Sequence, residues 1–517
     1  MSAVRVRSLL RHEMRMDALV RLITAAAAGG VLTLAFEPVA AWPLAFAALA
    51  LVAWATLGVG FWAATATGFV FAATFWLLHI EWLTMYLGAV PWLALGLFMS
   101  LEWALGLGLA GWFVRRGMAR LAHPALLAAL WAAVWVAREA LSSRVPYGGF
   151  AWGHISWTQS YSPLLSLSSW IGLPALSGLV VFVSVLPVCW MLTWRFPRWR
   201  AWLGGAVAVA VWALVPAWGS VTSAQGQLRV AAVQGNANAG LFSNETPGTI
   251  LRNHLDAAEA VVDEDFDVMV WPENAVDLDV LRNASARAAV TEFVDRMGRP
   301  LVLGSVTTRG DDVYNSVIVW LPGVGPTQVY DKRHPVPFAE YMPDRWLWRP
   351  LAPDLVDLVP RGFSFGQASG NLDVAGVNAG VLICFETSDS DLVRGLVSGG
   401  AQVILAPTNN ADFGHSDEAA QQLAITRAQA VAAGRSVVNV STVSSSAIID
   451  AGGAQLASLE DFTSGAMIAT VPLHDAWAPS QLMGPVVEVG ALLVAAGALV
   501  QRAALRVRRG RTASDQR

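Results

Sequence analysis

Charge is scarce in this sequence. Asp, Glu, Lys and Arg together make up 14% of its 517 residues, where a soluble globular chain carries about a quarter, so one soluble globule is excluded. Cysteine is scarcer still: Cys189 and Cys384 are the only two, too few for a disulfide framework. An excess of one sign of charge is also missing, and a net charge of −4 argues against nucleic acid as a partner. No spacing resembles a metal site such as His-Glu-x-x-His, so no metal and no other cofactor is expected.

The chain is instead 55% hydrophobic, with 24 Trp. Residues 18–219 and 485–501 hold nearly all the long apolar runs, while 227–480 reads like an ordinary soluble domain. Crossing a bilayer takes roughly 20 apolar residues per helix. That length predicts spans near 18–36, 41–57, 59–80, 89–114, 123–141, 173–194, 201–219 and 485–503, about eight in all. The division is then a helical bundle over 1–220, an α/β domain over 221–480, a last span over 481–505 and a basic tail over 506–517, with 509–517 disordered. Arginines cluster in alternate connections: Arg5, Arg7, Arg11 and Arg15; Arg115, Arg116 and Arg120; Arg195, Arg198 and Arg200; and the tail from Arg502 to Arg511. Basic segments mark the cytoplasmic side. Both termini therefore face the cytoplasm of a multi-pass cell-membrane (inner-membrane) protein, and the domain at 221–480 lies outside it.

In that domain short β-rich runs alternate with amphipathic helices, the pattern of a layered α/β fold. Strands are expected at Leu228–Gln234, Asp267–Trp271, Leu301–Val306, Asn315–Leu321, Val377–Ile383, Val403–Ala406, Val437–Val440, Ala447–Ile449 and Met467–Val471; helices are expected at 248–263, 278–297, 388–399 and 417–434. Three segments at strand ends carry reactive groups. Val270-Trp-Pro-Glu-Asn274 ends in Glu273, Tyr330-Asp-Lys332 leads to Lys332 and then Glu340, and Gly380-Val-Leu-Ile-Cys-Phe-Glu386 ends in Cys384 and Glu386. Acyl transfer through a thiol needs a base to ionise it and a cation where the oxyanion forms. Glu273 supplies the base, Lys332 the cation, and the backbone N–H of Phe385 a second oxyanion donor.

These segments resemble the Glu–Lys–Cys motifs of the nitrilase (carbon–nitrogen hydrolase) superfamily. With membrane spans on both sides, the chain is similar to its membrane-embedded branch, the apolipoprotein N-acyltransferases. Further likenesses are Phe36-Glu-Pro38, the Trp-rich run Phe150–Trp157, Ala232-Val-Gln-Gly-Asn236 and Gly434-Arg435. The resemblance implies an αββα sandwich on an eight-helix bundle. It also implies a reaction that takes an acyl chain from a phospholipid onto Cys384 as a thioester, then passes it to the α-amino group of a diacylglyceryl-cysteine lipoprotein. By the same resemblance Glu340 and Glu386 hold Lys332 and the reacting amine in place. Three departures bear on the acyl donor. Phe385 stands where relatives carry Tyr, and Asn409-Asn-Ala-Asp-Phe-Gly414 has Asp412 where they carry Trp. Phe242 takes the place of another Trp.

The stretch 344–355, with Trp346 and Trp348, is expected to be a loop that dips into the outer leaflet and guides lipid chains. Glu102, inside the fourth span, is expected to face the bundle interior. Gly362-Phe-Ser-Phe-Gly366 matches the serine-hydrolase elbow by chance, since neither a strand nor a helix flanks it. A membrane-tethered amidase acting on water, a non-catalytic scaffold and a transporter are the alternatives, the last weakened by the lack of paired half-bundles. Nothing demands more than a monomer.

Overall fold

The structure, a computed structural model, describes residues 17–118, 123–193, 222–238 and 245–514. The expected span at 201–219, the amino-terminal and 195–200 arginine clusters, and Phe242 lie outside these residues.

The bundle helices are α1 (Ala18–Thr33), α2 (Pro43–Thr56), α3 (Phe61–His79), α4 (Ala89–Met118), α5 (Pro124–Ser142) and α6 (Leu173–Thr193). Residues 61–79, 89–115, 124–142, 173–191 and 480–504 are each long and apolar enough to cross a membrane. α1 and α2 are shorter than expected, at 16 and 14 residues. Small residues bring the bundle helices together, as lipid-embedded packing requires. At Gly29 a Cβ would stand 2.4 Å from the carbonyl oxygen of Phe71, so α1 meets α3 only because that side chain is absent.

Glu102 does turn inward. Arg138 bridges it at 3.3 Å and Glu139 at 3.5 Å, with its guanidinium over the rings of Trp103 and Trp135. Glu139 also accepts from the N–H of Ile155, which ties the Phe150–Trp157 loop to the bundle.

The soluble part adds twelve strands: β1 (Gly226–Gln234), β2 (Val268–Val270), β3 (Leu301–Arg309), β4 (Asp312–Leu321), β5 (Gly325–Asp331), β6 (Asn371–Val374), β7 (Val377–Val381), β8 (Val403–Thr408), β9 (Ser436–Ser441), β10 (Ala447–Ile449), β11 (Gln455–Ser458) and β12 (Gly465–Leu473). They form two six-stranded sheets, ordered β12-β1-β2-β3-β4-β5 and β11-β10-β9-β8-β7-β6. The two sheets repeat one pairing pattern. Three parallel strands (β1-β2-β3 and β7-β8-β9) carry an antiparallel neighbour on one side and two more on the other. One buried cluster joins them, with Val230, Val270 and Val317 from the first sheet and Val381, Leu405 and Val438 from the second. Behind the first sheet pack α7 (Thr249–Glu259) and α8 (Ala284–Met297); behind the second pack α9 (Ser390–Ser398) and α10 (Glu418–Ala433). The last helix, α11, runs from Ser480 to Ser514.

Some expectations fail. Strands β6 and β11 were not foreseen, being short or lacking an apolar run, and β5 was foreseen only as the strand that ends before Lys332. The helix expected from 278 begins at Ala284, because Asn283 caps it and Asp279 folds back onto the N–H of Thr308. Residues 509–514, expected to be disordered, continue α11.

Candidate active site

Glu273, Lys332 and Cys384 sit just past the carboxyl ends of β2, β5 and β7, where layered α/β folds collect their reactive loops. The loop bearing Glu273 lies directly on β3. A Cβ at Gly304 would come within 2.4 Å of the Pro272 oxygen and 2.7 Å of the Glu273 Cα, so only glycine lets the carboxylate settle there. Pairing of β4 with β5 then puts Asn315 beside Lys332, whose N–H donates to the Asn315 carbonyl at 2.8 Å.

A buried cluster results. Lys332 Nζ, with its side chain 1% exposed, lies 3.2 Å from Glu273 Oε1 and 2.9 Å from Glu340 Oε2. Asn315 Nδ2 donates to Glu273 at 2.6 Å and to Glu340 at 3.0 Å, and the N–H of Val336 donates to Glu340 at 2.6 Å. Lys332 is the only lysine in the chain. Burial alone would drive a proton off it, but the charges of Glu273, Glu340 and Cys384 outweigh that and hold its pKa well above the ordinary value.

Cys384 opens a tight 3-10 turn, Cys384–Ser388, with its backbone at φ +54°. A non-glycine residue in that region carries about 1–3 kcal/mol of strain, which the turn sustains by fixing both flanks. The Glu386 carboxylate accepts from Ile383 N at 2.8 Å, Arg333 N at 2.7 Å, His334 N at 3.1 Å and the Tyr330 hydroxyl at 3.0 Å. Glu386 therefore does not hold Lys332, contrary to expectation. Two residues beyond the cysteine, its side chain folds back under the turn and pins the Lys332 loop to the Cys384 loop.

The half-buried thiol accepts from Gln422 Nε2 at 3.4 Å. Desolvation and the charge of Glu273 push the thiol well above its usual range, against the pull of Lys332 and Gln422. Burial likewise raises Glu273, opposed by Lys332 and reinforced by Glu340. Both shifts favour the protonated forms, so the thiol is harder to ionise and the Glu273 carboxylate is the stronger base for it.

Three members of the site escaped the sequence reading: Asn315, Tyr330 and Gln422. Their signals are faint: a polar Asn-Ser pair within an otherwise apolar strand, and amide residues on a helix that is otherwise rich in alanine. Asn409 accepts from Ala411 N and Thr442 Oγ1, joining the loops after β8 and β9.

The site meets the bundle through aromatic faces. The Phe385 ring stacks on Trp152 at 6.0 Å and 7° and on Phe150 at 6.3 Å and 9°. Gln421, next to the residue that touches the thiol, accepts from the indoles of Trp82 and Trp152 and donates to the carbonyl of His79. A cavity of about 320 Å³ opens beside this seam, lined in part by Tyr147, Arg333, Tyr341, Phe385 and Glu386. The stretch 344–355, expected to be a loop, contains two one-turn helices, Arg345–Trp348 and Pro353–Val356. Trp346 is 76% exposed, whereas Trp348 packs edge-on against Phe338.

Known proteins match in both parts. A family model described as the apolipoprotein N-acyltransferase N-terminal domain matches residues 28–186, and the carbon-nitrogen hydrolase model matches 229–478. An apolipoprotein N-acyltransferase from Mycolicibacterium smegmatis is 33% identical over 92% of this chain and 84% of its own length. One from Shewanella oneidensis is 27% identical over 90% of this chain and 93% of its own. Among solved structures, an amidase from Nesterenkonia sp. aligns with 49% of this chain and 93% of its own, at 17% identity and a TM-score of 0.37.

Proposed function

Because the chain belongs to the apolipoprotein N-acyltransferase family, we propose that it moves a fatty acyl chain from a phospholipid, through a thioester on Cys384, to the α-amino group of an N-terminal diacylglyceryl-cysteine. The observation that carries this reading is the stacking of Phe385, the residue after the nucleophile, on Trp152 and Phe150 of the bundle. The thiol thereby stands where the soluble domain meets apolar helices, the place a lipid donor and a lipid-modified acceptor would reach.

In the first half-reaction Glu273 takes the thiol proton as Cys384 Sγ attacks the ester carbonyl. Lys332, and the backbone N–H of Phe385, face the oxyanion. Collapse expels the lysophospholipid alkoxide, which takes the proton from Glu273. In the second half the amine attacks the thioester carbonyl, loses a proton to Glu273, and leaves Cys384 as the thiol. Glu340 and Asn315 hold Lys332 and Glu273 in place throughout.

The same reading places about eight spans in the cell membrane, the seventh at 201–219. It sets both termini on the cytoplasmic side and the domain at 221–480 outside, as an αββα sandwich, and takes the working unit as a monomer. Sheet-on-sheet packing with helices behind each sheet supports the sandwich, and alternating arginine clusters support the orientation.

Intact mass spectrometry tests the chemistry. Detergent-purified protein exposed to phospholipid should gain one acyl chain on Cys384, Cys384→Ser should gain none, and an added diacylglyceryl peptide should take the chain up. Release of free fatty acid with no peptide acylation would identify a membrane-tethered hydrolase instead. A Cys384→Ala protein with full biological function would identify a scaffold.

A further inference from the structure

The candidate site and its supports include four buried glutamates, and three have their partners. Glu273 and Glu340 share Lys332 and Asn315, and Glu386 accepts four hydrogen bonds. The fourth, Glu418, stands at the first residue of α10, 3% exposed, and its Oε2 has no hydrogen-bond partner among the described residues. Its charge is felt at Cys384 and it feels that of Glu273, while Gln422, one turn along the same helix face, donates to Sγ. A buried carboxyl left bare costs free energy unless it stays neutral or meets a cation. The reaction brings one cation into this site, the α-ammonium group of the acceptor.

We propose that Glu418 is the acceptor-recognition residue, binding the α-ammonium group of the incoming diacylglyceryl-cysteine beside the Cys384 thioester and taking its first proton. This rests on the acyltransferase reading above. Burial, then the charge of Glu273, pushes Glu418 up to about 8, within the range of an α-amino group, about 7.7–8.0. So raised, Glu418 is a far stronger base than an ordinary carboxylate and is suited to accept that proton: ammonium and carboxylate become amine and carboxylic acid. The neutral nitrogen then forms the N–C bond as the C–S bond breaks. Its second proton passes through Glu273 to the departing sulfur, so the site ends as thiol, amide and a protonated Glu418 that later releases its proton to water.

Glu418→Gln is nearly isosteric with the neutral acid, so the thiol keeps its surroundings. The variant should still gain an acyl chain from phospholipid, while KM for a diacylglyceryl peptide rises about ten- to a hundredfold, the range for loss of a charged hydrogen-bond partner. Glu418→Asp, which keeps the carboxylate, should recover part of that loss. On wild-type protein without phospholipid, a diacylglyceryl peptide with hydroxyl in place of its α-amine should bind at least about tenfold more weakly than the amine. That measurement stands even where a variant does not fold. An acylated Glu418→Gln protein with wild-type KM, or equal binding of the two peptides, overturns the assignment of Glu418. Absence of any adduct on wild-type Cys384 overturns the acyltransferase reading itself.

Discussion

The molecule contains two buried clusters of the same make-up, one in each region. In the bundle, Arg138 lies between Glu102 and Glu139; in the soluble domain, Lys332 lies between Glu273 and Glu340. Each has one cation and two carboxylates, yet in the reaction proposed here they do opposite things. Arg138 is clamped by two indole faces at 4.3 and 4.6 Å, and the Glu139 carboxylate it bridges is also occupied by Trp135 Nε1 and Ile155 N. A planar, permanently charged guanidinium suits such fixed geometry. Lys332 is a point charge on a flexible stem, with no aromatic clamp among its described contacts and with the thiol beside it. The comparison teaches that equal charge composition does not decide role. What decides it is whether the cation keeps a direction free to meet a charge that develops during reaction.

Removing the cation from each cluster separates the two roles. Lys332→Met should lower acyl transfer by about a thousandfold or more, through lost oxyanion stabilisation and two unpaired buried acids. Lys332→Arg should restore charge but little activity, since the fork does not fit the pocket of a point charge; steady-state rates in detergent check both. Arg138→Leu should instead destabilise the bundle by about 3–5 kcal/mol, the usual result of stranding buried partners, while kcat per folded molecule falls only a few-fold. Thermal unfolding measured beside activity decides this. An Arg138→Leu protein that is stable but inactive would show that the bundle cluster takes part in chemistry.

Much of this was legible in the sequence. Strand-ending motifs pick out Glu273, Lys332 and Cys384 because each needs only an apolar run and a break to mark it, and Glu102 turns inward because a charge facing lipid is costly. Partners across the fold were not legible. Asn315 and Lys332 meet through the register of β4 on β5, and Gln421 and Gln422 divide their loyalties between bundle indoles and thiol because α10 lies between them. The partners of Glu386, given a supporting place by resemblance, were hidden for the same reason: spacing to Cys384 shows proximity, not which way a side chain folds. The lone lysine was a signal open to view, since the one lysine of a chain, set at a strand end between carboxylates, stands out from any surface charge run.

The soluble cluster should also answer to acid. Glu273 has its pKa raised by burial, so its basic form is present above that raised value and lost as pH falls through it. Thioester formation should therefore decline on the acid side at a pH above the ordinary carboxylate value, about 4.3. Asn315 donates to the charged form of Glu273, so Asn315→Ala should move the decline to still higher pH; a limb that stays in place would remove Asn315 from the base's support.

The smallest expected effect lies at the rim, where neighbouring indoles repeat the contrast between reaching out and holding shape. Trp346 is exposed and its one-turn helix is tied down by Arg345 and Arg349 on Asp357, so the ring is presented outward on a fixed base. If it enters the outer leaflet, Trp346→Ala should slow turnover on phospholipid by up to about tenfold, equivalent to about 1.4 kcal/mol of lost partitioning, with unfolding temperature unchanged. Trp348, packed on Phe338, which in turn meets Tyr147 of the bundle side, should cost stability as well when cut to Ala. Equal effects of the two on both measurements would mean that the stretch is packing alone and that lipid reaches Cys384 by another path.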